Sequence, residues 1–397
     1  MNRTSNIAKF IPLSVPSLKG NELKYVSECI ETEWISSAGK YVERFETLLA
    51  GYLGAESCVA VSNGTAALHL ALICAGVKSG EEVFAPSITF IAPVNAIKYA
   101  GAHPVFVDCD DHLNMSAESL SAFIEKYCVY KNKKLIDKKT SRRISAIIPV
   151  HIFGNPADMP AIMEIAGKYG LKVIEDATES LGSRYINGPY KGMKTGTIGD
   201  YGCFSFNGNK IITTGGGGML ACKKKSDADF ARYLSTQAKD DALNYVHDNV
   251  GYNYRLTNIQ AALGCAQLEK LESYIEIKRK NFELYQKLLS KIFAKFCGFS
   301  LITEPEYSFS NYWFYSLLTD PGVMEKNELL THLKNSGVES RPLWYPNHLQ
   351  KPYRKEPRCP MKKTMRYFER VVNVPCSVNL TDADIRFVCK SIIEKVG

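Results

Sequence analysis

Hydrophobic and polar positions in the first half of the chain alternate between two periods. Short apolar runs with the length of buried strands lie at residues 58–61, 83–85, 104–107, 144–150 and 172–174. Stretches with the 3.6-residue period of a helix lie at residues 65–75, 91–100 and 159–169. This order predicts an α/β protein with a mainly parallel sheet between helices, and ligands of such sheets collect beyond the carboxyl ends of the strands.

The pattern changes beyond Leu256. The predicted elements there are one long helix at residues 259–275 with an amphipathic continuation to residue 289, a strand at 312–318, and helices at 326–336 and 382–396, the last after a Thr381 cap. A chain of 397 residues also exceeds the roughly 250 to 300 at which a single core stops growing. We therefore predict a large domain at residues 1–270, whose first residues can pack with the small domain, and a smaller C-terminal α/β domain at residues 271–397.

Composition and charge are those of an ordinary globular protein, with 45% apolar and 23% charged residues. The net charge is +8, but the basic runs at residues 131–139 and 223–225 are short and lie in predicted loops. They indicate a solvated surface and no nucleic-acid partner. No apolar stretch approaches the roughly 20 residues of a membrane span, and residues 1–10 lack the apolar core of a signal peptide.

The cysteines and histidines show no disulfide or metal pattern. The twelve cysteines lack CxxC spacing and mostly sit in apolar stretches, which is typical of buried thiols in a reducing compartment. The seven histidines show no HExxH or paired-ligand spacing. We expect a cytoplasmic protein without a metal site or a membrane partner.

Lys210 closes the run SFNGNK, which begins at Ser205, and it follows a predicted strand that ends in Asp176. A lysine amine can form a Schiff base with an aldehyde, a hydroxyl can bind a phosphate, and a carboxylate can keep a pyridine nitrogen protonated. Together, Lys210, Ser205 and Asp176 would suit pyridoxal phosphate. Taken singly, a surface lysine, a half-buried strand serine and a salt-bridged aspartate remain open alternatives.

Further loops carry candidate cofactor contacts. Gly64 and Thr65 stand between a predicted strand and helix, where backbone amides and a hydroxyl can bind phosphate; an ordinary N-cap by Asn63 or Thr65 is the alternative. Phe90 can stack on a planar cofactor or fill the core. The glycines at 215–218 lack the order of a phosphate-binding P-loop and predict a turn, either plain or one that brings the backbone close to a ligand.

Seven short motifs run over nearly the whole chain: SNGTAAL from Ser62, PSITF from Pro86, EDA from Glu175, GD from Gly199, SFNGNK from Ser205, GYNYR from Gly251 and SRPLW from Ser340. In their order and spacing the chain resembles the sugar aminotransferases of the DegT/DnrJ/EryC1/StrS family, which have the fold type I architecture of aspartate aminotransferase. The resemblance implies a large domain with a mixed, mostly parallel sheet, a smaller C-terminal α/β domain, and pyridoxal 5′-phosphate as cofactor.

The resemblance also implies roles for individual residues. Lys210 is expected to form the Schiff base with the cofactor, and Asp176 to pair with the pyridine nitrogen. The other implied contacts are Gly64, Thr65 and Ser205 to the phosphate and Phe90 to the ring face. Asn253 resembles the residue that reaches the phosphate of the neighbouring subunit's cofactor, which implies a homodimer with active sites at the subunit interface.

Substrate contacts are expected from two arguments. Segments that resemble the substrate-facing loops of the family contain Trp34, Tyr345 and His348, with packing between domains as the alternative. The net charge of +8 fits a doubly negative nucleotide diphosphate, for which the candidate contacts are Arg255, Arg341 and, more weakly, Lys40.

Glu179 departs from the common family pattern, in which many members have Gln or His three residues after the aspartate. A second anion near the phenolic oxygen of the cofactor would raise its own pKa or share a proton with that oxygen. The run EDATES from Glu175 resembles the subgroup that serves legionaminic acid and bacillosamine-type sugars. We therefore expect Glu179 to be a cofactor contact that donates or shares a proton.

The implied reaction transfers an amino group from L-glutamate to C4 of a nucleotide-linked 4-keto-6-deoxy sugar, expected from the subgroup to be a UDP-linked N-acetylated one. A sugar 3-dehydratase of the same family is the nearest alternative, but those enzymes replace the Schiff-base lysine by histidine. A catalytically silent regulator or a nucleic-acid binder on the same fold is a further alternative. The sequence leaves the nucleotide undecided among UDP, GDP and dTDP.

Overall fold

A computed structural model describes residues 10–396, and a central sheet organises its fold. The strands are β1 (Ser57–Val61), β2 (Glu82–Pro86), β3 (His103–Val107), β4 (Cys128–Lys131), β5 (Lys134–Asp137), β6 (Arg143–Ile147), β7 (Lys172–Asp176), β8 (Arg184–Tyr185), β9 (Tyr201–Ser205), β10 (Gly218–Cys222), β11 (Ser300–Leu301), β12 (Ser308–Phe309), β13 (Tyr315–Leu318), β14 (Arg341–Pro342) and β15 (Val371–Val374). The α-helices are α1 (Glu22–Glu31), α2 (Lys40–Leu53), α3 (Gly64–Cys74), α4 (Ala92–Tyr99), α5 (Ala117–Tyr127), α6 (Met159–Tyr169), α7 (Lys225–Ser235), α8 (Asn258–Leu268), α9 (Leu271–Lys295), α10 (Lys326–Asn335), α11 (Lys362–Phe368) and α12 (Asp382–Val396).

The central sheet has the strand order β1-β10-β9-β7-β6-β2-β3, with the β4–β5 hairpin added beside β6. The strands from β9 to β3 are parallel, whereas β1 and β10 join antiparallel, so the prediction of a mixed, mostly parallel sheet is confirmed. Every residue of β2 is buried, as expected for a parallel sheet covered on both faces. The carboxyl ends of β2, β7 and β9 point to the same edge of the sheet.

A second core lies in the C-terminal part of the chain. Strands β11, β13, β15 and β14 form an antiparallel sheet, and α9, α10 and α12 contribute side chains to the same apolar cluster. Ile11 pairs with Val338, and Leu13 belongs to this cluster, so N-terminal residues pack with C-terminal elements. The predicted domain boundary at residue 270 falls in the turn between α8 and α9, and the division itself stays a prediction.

The prediction of one long helix at residues 259–275 is wrong. Helix α8 ends at Leu268, and α9 begins at Leu271 after a two-residue turn. This turn lets α8 pack on α1 and α2 while α9 packs on α12. Helical periodicity continues on both sides of the turn, and a hydrophobic pattern does not record a change in helix direction.

The basic run at residues 131–139 is not a plain loop. It covers the turn and second strand of the β4–β5 hairpin, where Asn132 and Lys133 have φ angles of 52° and 57°. Two consecutive left-handed residues are the geometry of a type I′ hairpin turn. The turn extends the sheet beside β6 and does not contribute to the pocket described below.

Residues 10–396 contain no candidate membrane-spanning helix, no metal-binding cluster and no disulfide bond. No helix there combines the length and apolar character needed to cross a bilayer. No group of three His, Cys, Asp or Glu side chains in that part of the chain is arranged to hold a metal ion. The cysteines are free thiols, and all but Cys74 and Cys297 are buried.

Candidate active site

A pocket of about 370 Å³ opens beyond the carboxyl ends of β2, β7 and β9. The sequence-predicted residues that line it are Gly64, Thr65, Phe90, Asp176, Glu179, Ser205 and Lys210. Trp313, Phe314 and Trp344, from the C-terminal part of the chain, complete one wall. The edge of the central sheet and the C-terminal elements therefore enclose the site between them.

The N-terminus of α3 faces the pocket beside the end of β9. Asn63 is its N-cap, with Oδ1 accepting a hydrogen bond from Ala66 N at 2.8 Å. Thr65 is not needed for this cap and lies on the pocket wall. A Cβ on Gly64 would stand 2.9 Å from the Ser205 Cβ, so the absence of a side chain lets the helix end approach β9. Free backbone amides at a helix N-terminus make this corner suitable for a phosphate.

The glycines after Lys210 form the turn into β10. Gly215 and Gly217 have φ angles of 78° and 137°, which other residues rarely adopt. A Cβ on Gly218 would lie 2.5 Å from the carbonyl carbon of Asn63, so this glycine permits contact with the backbone that precedes α3. The glycine run therefore does more than form a turn. It brings its backbone close to the N-terminus of α3, the suitable position for a phosphate.

Two neighbouring carboxylates end β7 and take different roles because side chains alternate along a strand. Asp176 lines the pocket, and its Oδ1 accepts a hydrogen bond from Thr178 N at 3.1 Å. Burial raises the pKa of Asp176, and hydrogen bonding from Thr178 opposes that rise. Glu175 instead accepts hydrogen bonds from His151 Nε2 at 2.9 Å and from backbone N–H groups within residues 196–199. Glu175 thus joins β7 to the loop at residues 196–199, and Asp176 faces the pocket.

The Lys210 amine lies between a carboxylate and an aromatic ring. Its Nζ is 3.8 Å from Glu179 Oε1 and 3.9 Å from the centre of the Trp313 ring. Burial lowers the pKa of Lys210, and the charges of Glu179 and Asp176 oppose this effect. Burial also raises the pKa of Glu179 to about 7, although its Oε2 accepts a hydrogen bond from Phe153 N at 2.8 Å. The two groups therefore titrate closer to neutral pH than they would in water.

Aromatic side chains form one wall of the pocket. Trp313 stacks on Phe314 with ring centres 4.1 Å apart, and the Phe153 ring is 4.7 Å from that of Trp344. Phe90 is 56% exposed, so it lies on the rim and does not fill the core. Trp313 and Phe314 were missed from the sequence, because a strand-like apolar run does not show which side chains face a ligand. Trp344 carried a signal, since it ends the SRPLW motif.

Two of the candidate cations are engaged elsewhere. Arg255 Nη1 is 2.5 Å from Glu46 Oε1 and donates to the Ala60 carbonyl at 3.1 Å, so it joins α2 to β1 and does not line the pocket. Lys40 forms an ion pair with Glu28 at the surface. The partial positive charge that the pocket offers to a phosphate therefore comes from the N-terminus of α3 and not from these two side chains.

Arg341 and Tyr345 line a neighbouring pocket of about 500 Å³ that shares Asn209, Phe314 and Trp344 with the first. The Arg341 guanidinium is exposed and lies 2.7 Å from Glu339 Oε1. An exposed ion pair of this kind contributes little to stability and can be exchanged for a ligand at small cost. These two residues are close enough to the pocket to remain candidates for substrate contact.

His348 is buried and does not line the pocket. Its Nδ1 is 2.6 Å from Ser87 Oγ, and burial lowers the pKa of His348 to about 4, so the ring is neutral at physiological pH. The adjacent Asn347 donates to the Thr89 carbonyl at 2.9 Å. The pair therefore supports the loop after β2 that carries Phe90.

Trp34 and Asn253 are exposed in the single chain. The Trp34 carbonyl accepts a hydrogen bond from Asn258 Nδ2 at 2.6 Å, while the residue as a whole is 60% exposed. Asn253 pairs with Thr236. Neither residue is among those that line the pocket, and their expected roles stay predictions.

Comparison with known proteins places this geometry in a family context. The model of the DegT/DnrJ/EryC1/StrS aminotransferase family matches residues 16–393. The chain is 39% identical over 388 residues to the GDP-perosamine synthase of Escherichia coli O157:H7, covering 97% of this chain and 98% of that protein. It is 40% identical over 343 residues to EpsN of Bacillus subtilis, named as a pyridoxal phosphate-dependent aminotransferase, covering 86% of this chain and 83% of that protein. The crystal structure of DesI with its TDP-sugar product matches with a TM-score of 0.83 and 26% identity, covering 97% of this chain and 93% of that chain.

Proposed function

Because this chain belongs to the DegT/DnrJ/EryC1/StrS aminotransferase family, we propose that it transfers an amino group from L-glutamate to C4 of a nucleotide-linked 4-keto-6-deoxy sugar. It is a pyridoxal phosphate-dependent aminotransferase with fold type I architecture, as the sequence motifs predicted. One observation carries the proposal: Lys210 shares a single pocket with Asp176, Ser205 and the N-terminus of α3.

The residues present fit pyridoxal phosphate. The phosphate would be held by the α3 amides with Thr65 and Ser205, where Gly64 allows the close approach of helix and strand. The buried Asp176 carboxylate is costly without a cationic or hydrogen-bonding partner, and a protonated pyridine nitrogen would be one. The cofactor supplies an aldehyde for exchange of amines and a ring that accepts electrons from the reacting carbon.

Lys210 is proposed to hold and return the proton that moves between substrate and cofactor carbon atoms. A buried amine with a lowered pKa is neutral in a larger fraction of molecules, and only the neutral amine acts as a base or nucleophile. Glu179 lies 3.8 Å from the amine, and its charge favours the protonated form of Lys210. Asp176 is proposed to keep a proton on the ring nitrogen. Two half-reactions at one lysine predict ping-pong kinetics.

The acceptor is proposed to be a nucleotide-linked sugar. One relative is named for a GDP-linked product, and a solved relative holds a TDP-sugar product. The neighbouring pocket lined by Arg341 and Tyr345 shares Trp344 with the first, which offers room beyond the cofactor for a sugar. A UDP-linked N-acetylated sugar stays a prediction, as does a role in legionaminic acid or other surface-glycan biosynthesis. A GDP-linked sugar is an equal candidate, because one relative is named for a GDP-linked product.

We further propose a cytoplasmic homodimer in which Asn253 of each subunit reaches the other subunit's cofactor phosphate. Free, mostly buried thiols support a reducing compartment. Among the alternatives, a 3-dehydratase of the family would not keep a lysine at position 210, and a silent regulator has no need of the complete pocket. Neither has a specific observation in its favour.

The proposal is tested by the colour of the protein reconstituted with pyridoxal phosphate. The unsubstituted chain should absorb near the edge of the visible range and shift its band when L-glutamate is added. Lys210→Ala should lose the absorption band of the lysine-linked cofactor and at least about a thousandfold of activity, because no amine remains to form that link. Lys390→Ala, which removes an exposed lysine of α12, is the matched control and should behave like the unsubstituted chain. Unchanged colour and turnover in Lys210→Ala would contradict the assignment.

The acceptor is identified by a panel of UDP-, GDP- and dTDP-linked 4-keto sugars with L-glutamate, L-glutamine, L-aspartate and L-alanine as donors. Mass spectrometry of the product should show replacement of the keto oxygen by an amine for one nucleotide class with L-glutamate. A product that loses a hydroxyl group without gaining nitrogen would instead indicate a dehydratase.

A further inference from the structure

Trp313 contacts Lys210 in two ways. Its ring centre lies 3.9 Å from Lys210 Nζ, and its Nε1–H donates a hydrogen bond to the carbonyl oxygen of Asn209 at 2.8 Å. That carbonyl belongs to the peptide bond immediately before Lys210. One side chain therefore contacts both the backbone and the amine of this lysine.

Trp313 is itself held rigidly. It is 3% exposed, and its ring is stacked on Phe314 at an interplanar angle of 9°. Its backbone N–H donates to Asn311 Oδ1 at 2.9 Å, and Asn311 Nδ2 donates to the Glu179 carbonyl at 3.0 Å. Asn311 thus links the backbone of Trp313 to that of Glu179, the two residues that contact the lysine amine.

The Asn209 carbonyl has a second donor. Ser14 Oγ, from the N-terminal segment, donates to it at 3.2 Å. This second contact allows the backbone contribution of Trp313 to be separated from the contribution of its ring, because Ser14 contacts the same carbonyl but has no aromatic face.

We propose that Trp313 is a positioning residue for Lys210: its N–H fixes the peptide before the lysine, and its ring face holds the amine beside Glu179. The proposal rests on the proposed role of Lys210 in amino transfer. An aromatic face attracts an ammonium ion, so the ring favours the charged form and acts against burial. The charged groups that face the amine are the carboxylates of Glu179 and Asp176, which act in the same direction as the ring.

The test measures how fast Lys210 is acetylated as a function of pH in the full chain freed of cofactor. Peptide mass spectrometry gives the rate at Lys210, and exposed lysines in the same digest serve as the internal reference. Trp313→Leu should lower the midpoint of the pH profile by roughly 0.5 to 1.5 units, the size expected for loss of a desolvated cation–π contact. Trp313→Phe keeps a weaker ring and should lower it by a smaller amount.

Two controls separate positioning from general damage to the pocket. Trp344→Leu removes an indole from the same wall that does not lie over the amine, and Ser14→Ala removes the other donor to Asn209; both should leave the midpoint of Lys210 unchanged. An unchanged midpoint in folded Trp313→Leu, or an equal shift in Trp344→Leu, overturns the proposal. If Trp313→Leu does not fold, an unchanged midpoint in Trp313→Phe overturns it. Failure of the proposed function is recognised separately, by unchanged colour in Lys210→Ala.

Discussion

At the scale of single residues, Glu179 shows how burial changes the chemistry of an ordinary side chain. Its Oε1 faces the Lys210 amine at 3.8 Å, and its Oε2 is fixed by the Phe153 N–H. Glu179 is buried and the Lys210 side chain is only 12% exposed, so each loses hydration that their attraction only partly replaces. Their attraction therefore opposes the effect of burial on both pKa values without cancelling it.

The first prediction at this scale concerns Glu179→Gln. Because burial raises the pKa of Glu179 to about 7, the folded chain holds this proton more tightly than the unfolded chain does. The residue therefore adds stability below its ordinary pKa, and this contribution is lost as the pH rises through about 7. In the cofactor-free protein, the free energy of unfolding should fall less between pH 5 and pH 8 in Glu179→Gln than in the unsubstituted chain, by on the order of 2 kcal/mol.

Denaturant unfolding at both pH values measures this difference. In the cofactor-bound protein, the pH dependence of the absorption band should change as well, because the variant cannot share a proton near the cofactor. Glu394→Gln, which alters an exposed carboxylate of α12 outside both pockets, is the control. If absorption, its pH dependence and turnover all stay as in the unsubstituted chain, Glu179 is not a cofactor contact.

At the scale of elements, the pocket depends on how closely α3 approaches β9. The helix begins at Gly64 because Asn63 caps it, and the missing side chain lets its first turn lie against Ser205. The SNGTAAL motif already predicted a phosphate-binding position at this helix N-terminus. It could not indicate the facing strand, because β9 takes its place between β10 and β7 only through the order of strands in the sheet.

The prediction at this scale is that Gly64→Ala weakens cofactor binding. The new Cβ would stand 2.9 Å from the Ser205 Cβ and 3.0 Å from the Thr178 Cγ2, so the helix end must move away from the phosphate corner. The Kd for pyridoxal phosphate should rise by at least about tenfold, equivalent to about 1.4 kcal/mol.

Fluorescence titration of the cofactor-free protein measures that Kd. Gly167→Ala is a matched control within α6, since a Cβ there has open space around it and alanine favours a helix. An equal affinity in Gly64→Ala and Gly167→Ala would show that the close approach of α3 is not required for phosphate binding.

At the scale of the whole molecule, two residues that the sequence predicts to contact cofactor or substrate lie on the surface of the single chain, outside its pocket. Asn253 and Trp34 are exposed and lie outside the pocket of their own chain. The proposed homodimer gives these positions a role, because closed twofold symmetry would bring the same loop of each subunit to the other's site.

The prediction at this scale is complementation between two inactive variants. A heterodimer of Lys210→Ala with Asn253→Ala contains one site with both residues intact, because that site takes Lys210 from one chain and Asn253 from the other. Heterodimers isolated with two different affinity tags should therefore have about half of the activity of the unsubstituted dimer, as twofold symmetry requires.

Each variant alone supplies the baseline, and Asn187→Ala, at another exposed asparagine, should keep full activity on its own. A heterodimer no more active than its inactive parents would contradict the exchange of Asn253 between subunits. Full activity of the Asn253→Ala homodimer would remove the residue from the cofactor site altogether.

The sequence by itself determined the fold class, the family and the residues gathered at the strand ends, because periodicity and turn chemistry are local properties of the chain. Helix α6 and helix α12 occur at their predicted residues, and Lys210, Asp176, Ser205 and the Gly64–Thr65 corner meet in one pocket. Local patterns failed where the chain changes direction, because they joined α8 to α9. They also failed for contacts between residues far apart in the sequence, because they did not identify Trp313 beside Lys210.

Only the tertiary structure decided which side chains face each other across the pocket. Arg255 is drawn to Glu46 and His348 to Ser87, because a buried polar group is stable only where it finds a partner, and that partner can be any residue the fold brings near. In the same way, packing placed Trp313 over Lys210, about a hundred positions earlier in the chain. The chemistry of the lysine was readable from its motif, and its immediate surroundings were not.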